Sequence, residues 1–429
     1  MTGPAGPTGG TGGDPSPVAV AGPDPAAHQP DADQPAHRDS TGTGTDAVPA
    51  GTPRRWDRVG EYGRAVILVL PAWVVGRVLV VGALVAAHLG VSTLRPHNPA
   101  AALRVHQGLL AWDGGWYDTI ARHGYTAAGQ QSLRFYPAFP LAGRYLGDLP
   151  GVGAGPALVA VSNLCALAAM AALVVLIRHD LGDAGLARRS AWLLGLAPPA
   201  YSLVLGYADA TLLLCSVVTF LGARTGRWWW AAAAGLVGGL VRPVGVLLVV
   251  PVAVELWRQR RTASPGRRWV PRITALVAPV AGTAIFLGWV GAQFGDPWLP
   301  LRVQQQSGHR GGFTVPLSAM AHSLASVVHG HHLGSALHIP WALVCLALLV
   351  VAFRRLPLAY GAFSAAVLVV SLSSSNLDSF ERYALGAFPL VVAASTFTSR
   401  RSVEAVVLVV AAIGMTAYAL LAFVGVVVP

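Results

Sequence analysis

From residue 65 onward, apolar runs alternate with short arginine-bearing stretches: 65–90, 154–177, 190–205, 208–223, 228–241, 243–257, 273–292 and 336–353, a ninth run ending at Asn376–Arg382, a tenth reaching Arg400, and 402–427. A bilayer core takes about 20 apolar helical residues, so the pattern predicts an all-α polytopic chain with about 11 transmembrane helices. The runs inside 190–223 and 228–257 are short, broken near Gly206 and at Arg242-Pro243. Merging each pair would give longer spans but leave Asp209 and Arg242 in lipid, which is costly unless they face a cavity. Two stretches, about 91–153 and 293–335, are too polar to cross and read as long loops carrying short helices. In the first, Trp112, Trp116 and Ile120 share one i, i+4 row, and Asp113, Tyr117 and Ala121 another. The spacing predicts a short amphipathic helix that stops at Gly124. Tyr136-Pro137 and Phe139-Pro140 then predict a stiff, extended return, because proline disfavours the helical region for the residue before it.

Composition sharpens the class. Of 429 residues, 54% are hydrophobic and 11% charged, and the mean hydropathy is +0.55, values that belong to an integral membrane protein. The net charge of +11 comes from arginine alone, without a lysine. These arginines form clusters between apolar runs and no continuous stripe, which argues against a nucleic-acid partner and for topology signals. Arg54, Arg55, Arg58 and Arg64 precede the first run, so the positive-inside rule predicts a cytoplasmic N-terminus in a multi-pass cell-membrane protein, with 91–153 and 293–335 extracytoplasmic. Residues 1–52 are rich in Pro, Gly, Ala, Thr and Asp and lack aromatics; they are expected to be a disordered cytoplasmic tail, joined to one transmembrane domain over 53–429. No apolar core follows Met1, so no cleaved signal is expected. Cys165, Cys215 and Cys345 lie in apolar runs without metal or disulfide spacing. Of His309, His322, His329, His331, His332 and His338, the 329–332 group has ligand-type residues but no rigid spacing and no accompanying cysteine or acid. No metal and no cofactor is expected.

This topology brings Asp113, Asp209, Arg242, His309, Arg310, Glu381 and Arg382 to one side. A carboxylate there can act as general base toward an acceptor hydroxyl, while arginines hold a phosphate-bearing donor and stabilise the charge on its leaving group. Asp113 sits between Trp112 and Gly114-Gly115, with Trp116 and Tyr117 following. For it to serve near neutral pH, its aromatic surroundings must raise its pKa, or the transition state must supply much of the proton affinity. The alternatives are an acid that caps the loop helix, arginines in structural ion pairs, and tryptophans and tyrosines that mark the headgroup level. Asp118 lies on a different face from Asp113, and Glu381 fits a structural role. The segment 301–318, with its glutamine run and glycines, fits either a closing loop or a connector.

The stretch Trp112-Asp113-Gly114-Gly115-Trp116-Tyr117 through Tyr125, with Phe135-Tyr136-Pro137-Ala138-Phe139-Pro140, resembles the PIG-V-like mannosyltransferases, membrane glycosyltransferases of the GT-C class. Further segments agree in order. Tyr207-Ala208-Asp209-Ala210 is similar to the family's Tyr-Thr-Glu-Ser, Arg242-Pro243-Val244-Gly245 to its Arg-Pro-x-Gly, and Gly295-Asp296-Pro297 to the start of its later outer loop. Arg382-Tyr383 and Phe388-Pro389 are similar to its C-terminal pairs, so the resemblance covers about 54–400. It implies a GT-C-like fold and transfer of mannose, with inversion, from a polyprenyl-phosphate sugar donor to a lipid or glycan acceptor. Asp113 would be the catalytic base. Trp112, Trp116, Tyr117 and Tyr136 would meet sugar or prenyl chain, and Asp209, Arg242, His309, Arg310 and Arg382 would meet the substrates' polar groups. Asp209 departs from the family's glutamate, Ala210 lacks its hydroxyl, and Asp118 is an unconvincing second acid beside Asp113. The competing class is a transporter or flippase of a lipid-linked sugar, for which the interruptions at Pro198-Pro199 and Pro243 are a weak sign.

Overall fold

A lipid-facing backbone has no partner but its own carbonyls, so the apolar runs become helices. The computed structural model describes residues 55–94, 99–260, 269–306, 309–321 and 335–428. Among these, an isolated bridge between Phe313 and Ser374 is the sole extended pairing. The expectations for residues 1–52, His322 and the 329–332 histidines lie outside the described residues.

The first helix, α1 (Arg55–Leu94), leads into a polar stretch carrying α2 (Pro99–Gln107), α3 (Asp113–Ala128) and α4 (Ala138–Gly147). Next come α5 (Ala154–Leu181), α6 (Ala184–Leu196), α7 (Asp209–Arg224), α8 (Trp228–Val241), α9 (Val249–Gln259), α10 (Trp269–Phe294) and α11 (Leu299–Gln304). The chain closes with α12 (Ser335–Arg355), α13 (Leu358–Leu372), α14 (Phe380–Leu385), α15 (Phe388–Ser395) and α16 (Arg401–Phe423).

Five of these, α1, α5, α10, α12 and α16, are long and apolar enough to cross a membrane. The other expected spans are shorter. With 16 residues, α7 reaches roughly 24 Å, less than a bilayer core of about 30 Å. The cause is proline. Pro198-Pro199 and Pro243 cannot donate the bonds an α-helix needs, and the chain passes through 3₁₀ turns at Pro198–Leu203 and Pro243–Leu248. The tenth expected span is likewise divided, into α14 and α15.

A polar pair that hydropathy does not reveal supports the first break. Arg77 of α1 donates from Nε to Asn163 Oδ1 (2.8 Å) and from a terminal nitrogen to the Leu203 carbonyl (3.2 Å). Asn163 Nδ2 donates to the Val204 carbonyl at 2.9 Å. Carbonyls freed by leaving the helix are thereby satisfied within the bundle.

Packing runs from α1 onto α5, α6 and α16, and from α5 through α7 and α8 to α10. The α8–α10 contact is parallel, with Gly235 facing Pro279 and Gly239 facing Thr283. A Cβ on Gly239 would collide with the Pro279 carbonyl, so only glycine permits this approach. At one end of the bundle, Tyr117, Phe135, Tyr136 and Phe139 pack with Val241, Phe286 and Val290. Polar links join other helix ends: Arg224 Nε lies 2.8 Å from Asp180 and its Nη1 2.7 Å from Glu255, while the Tyr360 hydroxyl donates to Asp180 at 2.8 Å.

Candidate active site

The first polar stretch is built around α3, which begins at Asp113 and loses helical geometry at Gly124 (φ 76°), where the spacing places its end. The return segment differs from expectation. Phe135 is extended, but Phe139 and Pro140 lie in the first turn of α4, where a proline forfeits no helical bond.

Several contacts hold the backbone that presents Asp113. Gly206 N–H donates to the Leu109 carbonyl at 2.9 Å, and the Tyr207 hydroxyl to the Ala111 carbonyl at 3.2 Å. Trp112 Nε1 donates to the Ala422 carbonyl near the end of α16 at 2.9 Å, with the Arg104 guanidinium 4.1 Å from its ring centroid. Among the described residues, Trp112 (φ 60°) and Ser379 (φ 66°) are the two non-glycines at positive φ. One directly precedes Asp113 and the other lies three residues before Arg382, the two partners of an ion pair. Such backbone persists where its surroundings over-determine it, as at functional sites.

Asp113 and Arg382 meet on the wall of a cavity of about 350 Å³. An Arg382 terminal nitrogen lies 2.8 Å from Asp113 Oδ2, and its Nε lies 3.7 Å from Asp209 Oδ1. Arg242 reaches the same Asp209 oxygen at 2.5 Å. Arg134, Arg242, Arg310 and Arg382 all line the cavity, against the carboxylates of Asp113, Asp378 and the Asp209 beneath them. The ring of Tyr383 collects Arg310, Arg242 and Arg382 at 4.4, 4.9 and 5.4 Å. Arg382 is 4% exposed, yet its Nε and Nη1 have no hydrogen-bond partner. Buried guanidinium donors of this kind suit a charged acceptor.

Of the two routes open to Asp113 as a base, a raised resting pKa is not the one the site provides. Burial does push it up, but Arg382, Arg242 and Arg134, with the hydrogen bond from Arg382, hold it below its ordinary value. Arg310 moves down from its usual range because of burial, assisted by Arg242 and Arg382 and opposed by Tyr383.

Of the expected site residues, Asp113, Tyr117, Arg242, His309, Arg310 and Arg382 line this cavity, and Asp209 lines a smaller one beneath it. Trp112, Trp116 and Tyr136 stand outside its wall. Trp112 anchors the loop to α16, Trp116 stacks on Phe135 at 6.0 Å, and Tyr136, 1% exposed, packs 4.6 Å from Phe286. Buried rings here serve the core cluster that carries α3. Asp118 pairs with Arg122 at 2.8 Å.

His309 joins the two polar stretches: its Nδ1 lies 3.0 Å from Arg134 Nη1 and its Nε2 2.7 Å from Gln131 Oε1. Its carbonyl accepts from Asn376 Nδ2 at 2.8 Å, and the Arg310 carbonyl accepts from the Ser374 hydroxyl at 2.6 Å. Sequence reasoning missed Arg134, Tyr383 and Asp378 as cavity residues. Arg134 adjoins the aromatic-proline motif and Tyr383 follows Arg382, so proximity was the available signal; Asp378 offered none. Glu381 is buried and accepts a 2.8 Å contact from His338 Nδ1, in keeping with a structural role. Among the described residues no group of histidine, cysteine and acid could hold a metal.

No family model matches the chain. No curated protein matches it. Among solved structures, ArnT from Cupriavidus metallidurans, bound to undecaprenyl phosphate, aligns over 69% of this chain at 18% identity with a TM-score of 0.44. The match spans 57% of that protein's length. A likeness of this size does not carry an argument about function.

Proposed function

We propose that the chain is an inverting mannosyltransferase that takes its sugar from a polyprenyl-phosphate donor and passes it to a lipid or glycan hydroxyl at the extracytoplasmic membrane face. The observation that carries this reading is the Asp113–Arg382 pair on the wall of an arginine-lined cavity. The resemblance of the loop to the mannosyltransferase motif supports the choice of sugar. The donor phosphate lies among Arg242, Arg310 and Arg382, and the unpartnered nitrogens of Arg310 and Arg382 supply charge-assisted donors. Phosphate occupancy sets a second anion beside the arginines that now hold Asp113 ionised, so the carboxylate's proton affinity rises when a base is needed. The acceptor oxygen attacks the anomeric carbon from the face opposite the phosphate while Asp113 takes the hydroxyl proton. The bond from that carbon to the phosphate oxygen breaks, and the polyprenyl phosphate departs with the electron pair, its charge met by the arginines.

The test uses purified Asp113→Asn protein in liposomes, with donor binding, mannose transfer and thermal unfolding measured together. Donor binding is expected to persist while transfer falls about 10²- to 10⁴-fold. Transfer near the wild-type rate would remove Asp113 from the mechanism. Wild-type protein that moves donor across the bilayer without consuming it would be a transporter instead.

A further inference from the structure

The ends of α8 and α10 farthest from the cavity carry a cation that the proposed chemistry does not use. Arg242 ends α8 beside the cavity; 14 residues earlier, roughly 21 Å along the helix, α8 begins at Trp228. Because α8 and α10 run parallel, their amino ends lie side by side. Arg272, in the first turn of α10, places its guanidinium between them, 5.5 Å from the Trp228 ring and 5.8 Å from the Trp269 ring. It is 9% exposed, its Nε is buried without a hydrogen-bond partner, and among the described residues no carboxylate lies within ion-pair distance of it. Glu255, on the α9 helix that packs against α10, is engaged by Arg224 and Arg258 at 2.7 and 2.9 Å. Neither first turn contains an acidic residue, and no side chain caps α8. Two positive helix ends and a buried arginine therefore converge without an anion among the described residues to meet them. Around them Trp229, Trp230 and Trp269 are 61%, 64% and 45% exposed, as tryptophans are at the headgroup level of a bilayer.

We propose that this is a binding site for the phosphate headgroup of an anionic phospholipid, with Arg272 as its central ligand. A basic site between helix ends at a membrane surface, rimmed by interfacial aromatics, is the chemistry that selects such lipids. Arg272 supplies the charge and a directed N–H, the Trp228 and Trp229 amides at the start of α8 supply further donors while those of Trp230 and Ala231 donate to the Arg227 carbonyl, and the exposed tryptophans lie against the acyl–headgroup boundary. A zwitterionic lipid offers the same phosphate but brings its own cation to a basic site, so phosphatidylcholine binds more weakly.

The site is tested by native mass spectrometry of the full chain in detergent, titrated with phosphatidylglycerol and separately with phosphatidylcholine. Wild-type protein should retain phosphatidylglycerol preferentially. Arg272→Gln should lose about five- to tenfold in apparent affinity for phosphatidylglycerol, the scale of one arginine against an anionic surface, with phosphatidylcholine unchanged. Inorganic phosphate on the order of 10 mM, too dilute to screen a contact at this range, should not displace the lipid. Equal retention of the two lipids by wild-type protein, or unaltered phosphatidylglycerol affinity in a folded Arg272→Gln, overturns the proposal. Displacement by inorganic phosphate overturns it too, since the ligand would then be a free anion. Should Arg272→Gln fail to fold, wild-type and Trp269→Phe proteins decide the matter in phosphatidylcholine vesicles doped with phosphatidylglycerol brominated on its acyl chains. Quenching of wild-type fluorescence beyond that from brominated phosphatidylcholine, reduced in Trp269→Phe, supports the site, and equal quenching by the two lipids refutes it.

Discussion

Asp113 is pulled two ways, and the direction that wins decides how it can act. Its aromatic neighbours bury it, which raises its pKa, but three arginines outweigh that effect and leave it ionised at rest. Sequence position says that Asp113 sits beside tryptophans; it says nothing of Arg382, 269 positions later, whose guanidinium lies 2.8 Å away. Because the folded pKa lies below the unfolded one, the pair stabilises the protein above about pH 4 and that contribution is lost as pH falls through the folded value. Arg382→Gln removes the nearest lowering influence, so the Asp113 pKa should rise. The acid limb of kcat, measured at saturating donor, is then expected to move to higher pH. An unmoved limb in a folded variant would mean that Asp113 does not titrate in the rate-limiting step.

Among the elements, the breaks matter more than the helices. Pro198-Pro199 and Pro243 interrupt two apolar runs, and the polar residues at these interruptions, Asp209 and Arg242, form the second ion pair beneath the cavity. Gly245 closes the turn after Arg242: a Cβ there would collide with the Gly238 carbonyl, so the Arg-Pro-x-Gly motif has a steric reason as well as a chemical one. The α8–α10 contact makes a sharper test, because Gly239 does not line the cavity. Gly239→Ala forces the helices apart and should cost about 1–3 kcal/mol by overpacking. Thermal unfolding in detergent should show a lowered Tm, with the donor affinity of the surviving folded protein near wild type. An unchanged Tm would mean that the two helices are not held at this separation.

For the whole molecule, polar residues sort by end. Asp113, Asp209, Arg242, Arg310 and Arg382 gather at one, while Asp180, Arg224 and Glu255 form a network among other helix ends. Among the described residues five helices are long and apolar enough to cross a membrane and the other expected spans are shorter or broken, and the alternation of arginine clusters predicts which connections share a side. Reporter fusions after Arg189 and Arg355 are expected to read cytoplasmic, and fusions near Gly129 and Gly311 external. A cytoplasmic signal at Gly129 would overturn the predicted orientation, and with it the extracytoplasmic placement of the chemistry.

The sequence by itself determined what hydropathy and local spacing can encode: an all-helical membrane chain, α3 beginning near Asp113 and ending at Gly124, and the breaks at proline. It also singled out the residues with unusual polarity, most of which line the cavity. Helix periodicity and the insolubility of charge in lipid act over a few residues, so they are legible in a linear string. Tertiary structure decided the rest. Trp112, Trp116 and Tyr136 share a motif with Asp113 but turn into the core or toward α16, because the face a ring takes depends on what packs against it. Arg134, Asp378 and Tyr383 join the site through contacts between segments far apart in the chain, and the resting charge of Asp113 depends on arginines that only folding brings near. Electrostatic interactions act through distance in space, and a sequence carries only distance along the chain.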